Sequence, residues 1–110
     1  MNTVRAAVAG CVLLLSAVTV CAQASFLSGH VLKERLADAH DSSSRGMAVG
    51  YIAGVYDTSS GVLICSPTEV TTGQLAAIVQ KYLADNPQTL HITAHQLVIN
   101  ALSAAFPCRK

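Results

Sequence analysis

Apolar residues recur along this chain with the period of a helix in four separate stretches, and polar or helix-breaking clusters divide each stretch from the next. The first covers Ser28 to Ala39: Ser28 is placed to cap it, Leu27, Val31, Leu32 and Leu36 share one side, and Lys33, Glu34 and Asp38 face water. Asp41-Ser42-Ser43-Ser44 reads as a turn and cap. After it Met47, Ala48, Tyr51, Ile52 and Val55 return at helical spacing up to a breaker at Asp57 to Gly61. A connector from Val62 to Val70 carries Cys65 and Pro67, and its Val62-Leu63-Ile64 run has strand-forming residues but no obvious pairing partner.

The last two stretches are better signalled. Thr71-Thr72-Gly73-Gln74 has the form of a capping box, Leu75, Ile78, Val79, Tyr82 and Leu83 follow at i, i+3, i+4, i+7 and i+8, and Asp85-Asn86-Pro87 stops the helix. Thr93-Ala94-His95-Gln96 repeats the capping form before Leu97, Val98, Ala101, Leu102 and Ala105, and Pro107 ends that run. These two helices should pack antiparallel across the loop from Asn86 to Ile92. Strands and helices do not alternate and no internal repeat exists beyond the shared cap, so the pattern predicts an all-α fold, a small four-helix bundle.

The N-terminus follows a different pattern. Met1-Asn2-Thr3-Val4-Arg5 supplies one positive charge, Ala6 to Val20 is apolar except at Gly10, Ser16 and Thr19, and Ala22-Gln23-Ala24 has the small-x-small form read by signal peptidase. The expectation is a secretory signal peptide over residues 1–24, cut before Ser25, with one domain over residues 25–110 in the periplasm. The apolar run is shorter than the roughly 20 residues a membrane span needs, so no membrane association is expected after cleavage. Lipid attachment at Cys21 is disfavoured because branched Val20 stands where a small residue is wanted.

Cleavage also settles the cysteine arithmetic. Of four cysteines, Cys11 and Cys21 leave with the signal, and Cys65 and Cys108 remain as an even pair in an exported chain, which favours a disulfide over a metal site or reactive thiol. A domain this small buries a modest core and benefits from such a staple. The charges then exclude two classes of partner. Lys33, Arg35, Arg45, Lys81, Arg109 and Lys110 are matched by Glu34, Asp38, Asp41, Asp57, Glu69 and Asp85, which leaves no basic footprint for nucleic acid and no cationic face for lipid.

Catalytic chemistry is mostly absent. The serines of Ser42 to Ser44 and Ser59-Ser60 lie in turns and caps without a nucleophile elbow or phosphate loop, paired acids are missing, and no cofactor motif is present. His91 and His95 are four apart, yet His91 precedes Thr93 and no third ligand is spaced nearby, so neither a metal site nor a general base is expected. Gly50-Tyr51-Ile52-Ala53-Gly54 places Gly50 and Gly54 on one helix face beside Tyr51. Glycine in a helix costs about 1 kcal/mol and needs a packing reason. The expected reason is close helix packing inside the bundle, with a homodimer seam as the alternative. A binding protein, not an enzyme, is the class these residues favour.

Several stretches, taken in order, resemble the Rap/Tai immunity family: Phe26-Leu27-Ser28-Gly29-His30-Val31-Leu32, Gly50-Tyr51-Ile52-Ala53-Gly54-Val55-Tyr56-Asp57, Cys65-Ser66-Pro67 with Thr71-Thr72-Gly73-Gln74-Leu75, and Ala101-Leu102 with Ala104-Ala105-Phe106-Pro107-Cys108. They span nearly the whole mature chain. Many members carry two further cysteines, where this chain has Leu36 and the segment Arg45-Gly46-Met47-Ala48, so a second bridge is lost and Cys65 and Cys108 are left as partners.

The resemblance implies a periplasmic protein that binds and blocks a peptidoglycan amidase toxin delivered by type VI secretion, often as a dimer, by placing a protruding loop in the active-site groove. The matching loop here is Asp85-Asn86-Pro87-Gln88-Thr89-Leu90-His91, with Asp85, Asn86, Gln88, Thr89 and His91 as its partner-binding residues. Two other readings remain open. One is an envelope interaction module without a toxin. The other is an acid-activated chaperone charged through its four mature histidines.

Overall fold

The computed structural model describes residues 27–109; the segment expected to be a signal peptide, its expected cleavage site, Cys11 and Cys21 lie outside them. Four helices account for most of what is described: α1 (Gly29–Ala37), α2 (Ser42–Ser59), α3 (Thr72–Asp85) and α4 (Ala94–Ala105). A short 3-10 turn, Pro87–Thr89, stands between the last two. Three helices start where a side chain takes up open N–H groups of the first turn. Ser28 accepts from Val31, Asp41 from Ser43 and Ser44, and Thr71 and Gln74 form a reciprocal capping box.

Every helix touches every other. Their shared core holds Leu32 and Leu36 from α1, Ala48 and Ile52 from α2, Leu75, Ala76, Val79 and Leu83 from α3, and Ala94, Leu97, Val98, Ala101 and Leu102 from α4. Ile64 and Leu90 enter it from the connections. The core-facing positions therefore follow the sequence periodicity closely. Three side chains depart from it: Val31 is half-buried but does not pack on the core, Met47 is exposed, its sulfur 3.2 Å from the Arg35 guanidinium, and Ala105 lies on the exposed side of the last turn of α4.

Helix ends differ from the expected bounds for identifiable reasons. Helix α1 stops at Ala37 because Asp38 takes extended backbone angles, and its carboxylate accepts the N–H groups of His40 and Asp41 at 3.0 Å each. Helix α2 begins earlier than its apolar pattern, since Asp41 caps it and draws Ser42 to Ser44 into the first turn. Thr93 makes no side-chain cap, contrary to the repeated capping form. The N–H of Ala94 instead donates to the Leu27 carbonyl at 2.8 Å, and Gln96 reaches forward to Asn100. That bond serves the first N–H of α4, which an N-cap side chain does not reach, so Leu27 secures the helix start independently of Thr93.

The Val62-Leu63-Ile64 run forms a turn. Gly61 has a φ of 81°, which other residues adopt only under strain, and Ser60 pairs with Ile64 in an isolated bridge. Beyond it the connector is tied down three times. Tyr56 and Ser66 share a 2.6 Å hydrogen bond, the N–H of Cys65 donates to the Phe106 carbonyl at 2.9 Å, and Cys65 is bonded to Cys108 with their Cα atoms 4.9 Å apart. The connector thus meets the C-terminal end of α4, and the 3-10 turn lies at the other end of the α3–α4 hairpin.

The bridge closes 43 residues of sequence, so in the chain-entropy model its removal should lower unfolding free energy by about 4 kcal/mol. Urea denaturation of Cys65→Ser/Cys108→Ser against the oxidised protein checks this, and equal midpoints would contradict it.

Candidate functional site

The loop between α3 and α4 is shaped by its own side chains. Asn86 leaves the helix at φ −126° and ψ 58°, and its amide donates back to the Tyr82 carbonyl at 2.8 Å. The hydroxyl and N–H of Thr89 both donate to the Asn86 carbonyl, at 2.9 and 3.1 Å, and Pro87 opens the 3-10 turn with its fixed φ. Leu90 is buried and fastens the loop to the core.

The chain entering α1 holds the same loop from outside. Gly29 donates its N–H to the Ile92 carbonyl at 2.9 Å and His30 donates to Leu90 at 3.0 Å, while Leu27 accepts from Ala94. Gly29 is a buried glycine with a steric duty. A Cβ there would press on Leu97 Cδ1 and come within 2.8 Å of the Leu90 carbonyl oxygen. Periodicity does not single out this residue; its only signal was its place in the Phe26 to Leu32 stretch.

Among the five loop residues expected to meet a partner, the structure separates two sets. Asn86 and Thr89 are half-buried and use their side chains to hold the turn, whereas Asp85, Gln88 and His91 are exposed. Asp85 pairs with Lys81 at 2.6 Å, an exposed ion pair of small energetic weight. Gln88 makes one long contact, 3.5 Å, to the Asn86 side chain. The outward surface of the loop is therefore polar and carries an amide, an imidazole and a partly matched carboxylate. His95 also lies exposed, but in the first turn of α4.

The glycine pair has a different setting from the one expected. Gly50 and Gly54 are exposed, and a Cβ at either would meet nothing within 4 Å, so they do not serve close packing inside the bundle. They lie on the side of α2 opposite Ala48 and Ile52, which face the core. Tyr51 is half-buried against that core. Burial pushes its phenol above the ordinary value, and a backbone hydrogen bond with His95 pulls the other way.

Among the described residues no helix is long and apolar enough to cross a membrane, and no group of three or more His, Cys, Asp or Glu side chains is arranged to hold a metal ion. What the geometry defines is a disulfide-closed helical domain with a rigid polar loop at one end. Residues 15–108 match the family model of the Rap1a immunity proteins, and the chain belongs to that family. The match opens inside the apolar N-terminal run. Membership makes this an immunity protein by class and implies a cognate effector as its partner. No curated protein matches the sequence.

The two kinds of glycine should respond oppositely to alanine. Gly50→Ala and Gly54→Ala should each stabilise the fold by about 0.5–1 kcal/mol, because helix propensity improves and no atom is displaced. Gly29→Ala should destabilise it by about 1–3 kcal/mol through overpacking. Chemical denaturation of the single variants reads both signs.

Proposed function

We propose that this chain is a periplasmic immunity protein that neutralises a peptidoglycan amidase delivered by type VI secretion, with the loop from Asp85 to His91 as the plug that enters the amidase groove. The observation that carries the reading is a pre-shaped polar loop in a chain of the immunity family. Pro87, the hydrogen bonds of Asn86 and Thr89 and the clamp from Gly29 and His30 hold the loop in one form. A rigid loop loses little conformational freedom on binding, so more of its contact energy remains as affinity. Gln88 and His91 then offer donor and acceptor atoms to a groove built to hold a peptide, and the peptide substrate is shut out.

Expression of the full chain with a C-terminal tag in its native bacterium tests this reading in two steps. The protein recovered from the periplasm should begin at Ser25 and retain a peptidoglycan amidase through stringent washing at neutral pH. The purified pair should then show loss of peptidoglycan cleavage at equimolar inhibitor. Gln88→Ala/Thr89→Ala/His91→Ala should weaken the complex about tenfold or more without loss of helicity by circular dichroism. Unchanged affinity of that variant would remove the loop from the mechanism.

A further inference from the structure

Oxidisable side chains are scarce in this domain. Among the described residues Met47 is the one methionine, tryptophan is missing from the whole sequence, and Cys65 and Cys108 are already joined. Met47 is also open to solvent. It is 61% exposed, belongs neither to the core nor to the residues packed against it, and has exposed Ser43 and Gly50 as neighbours one helical turn away. A Cβ at Gly50 would meet nothing within 4 Å, so that flank of Met47 is uncrowded among the described residues.

The sulfur has one polar contact. Arg35 Nη1 donates to it at 3.2 Å, from the last turn of α1 to the beginning of α2. A thioether is a weak acceptor, a poor match for a cationic fork of N–H donors, and among the described residues no carboxylate pairs with this guanidinium. A sulfoxide oxygen is strongly polar. Placed where the sulfur lone pair now is, it would turn the weak contact into a charge-assisted hydrogen bond. The Met47 side chain has three rotatable bonds and no packing on the core to hold it, so such an oxygen can swing to the guanidinium.

We propose that Met47 is a site of oxidation to the sulfoxide by hydrogen peroxide, with Arg35 as the group that holds the product. A sulfur lone pair takes one oxygen of the peroxide, the O–O bond breaks, the proton of the transferred oxygen passes to the departing one, and water leaves. Sulfur gives up two electrons and the peroxide gains them. A sulfoxide reductase returns the thioether. Oxidation of a methionine inside a core disrupts packing. Here the core is untouched, and the new bond ties the beginning of α2 to the last turn of α1. The modification is therefore stabilising, and it is independent of what the loop between α3 and α4 binds.

The test exposes the purified protein, expressed from the full chain, to hydrogen peroxide while it is folded. Mass spectrometry after trypsin digestion and disulfide reduction should find one added oxygen on the peptide that begins at Gly46. The oxidised protein should melt about 2 °C above the reduced one, with the same circular dichroism spectrum. Met47→Leu should show no such shift after the same treatment. Arg35→Ala should take up the oxygen and lose the gain, and Arg35→Gln, which keeps most of the stem without the charge, serves the same comparison if the first variant folds poorly. Three results would each overturn the proposal: a peptide left unmodified in the folded protein, an oxidised wild type that melts at or below the reduced form, or an equal gain in the Arg35 variants.

Discussion

Helix α1 can lie against the loop between α3 and α4 only because residue 29 has no side chain. The contact at Gly29 brings the backbone of the entering chain within hydrogen-bonding distance of Leu90, Ile92 and Ala94. Three consequences follow from that approach. The first N–H groups of α1 find partners, the open N–H of Ala94 is satisfied without a side-chain cap, and Leu90 is pressed into the core. The geometry of the polar loop is thus a product of packing between segments far apart in sequence.

The opposite end of the bundle is held by different chemistry. There the connector after α2 is stitched to the end of α4 by the Cys65–Cys108 bridge, the Cys65 to Phe106 hydrogen bond and the Tyr56 to Ser66 hydrogen bond. Closing a loop of this size acts chiefly on the unfolded chain, whereas the Gly29 contact acts on the folded one. One end is secured covalently and the other by shape. Both connections present a short turn with little internal freedom.

Much of this arrangement could be read before any coordinates. The spacing of Leu75, Val79 and Leu83, and of Leu97, Val98, Ala101 and Leu102, marks the two faces that meet in the core, and the capping box at Thr71 locates the start of α3. The cysteine pair followed from the count that an expected signal cleavage would leave. What local pattern could not supply was which distant segments meet. Thr93 has the residues of a cap but its side chain makes none, and Leu27 reaches the first N–H of α4 from outside the helix. The glycines at 50 and 54 carry a packing motif, yet which face they occupy depends on where Ala48 and Ile52 settle. Within the loop, the division between Asn86 and Thr89, which build it, and Gln88 and His91, which face outward, depends on carbonyl positions that spacing does not reveal.

That division bears on how such a protein can change over generations. The loop's outline is drawn by main-chain carbonyls, by Pro87 and by two inward side chains, while Gln88 and His91 add only one long contact between them. Positions 88 and 91 are therefore open to exchange with little effect on the fold. A lineage could retune what the loop meets, one outward residue at a time, without passing through an unfolded intermediate.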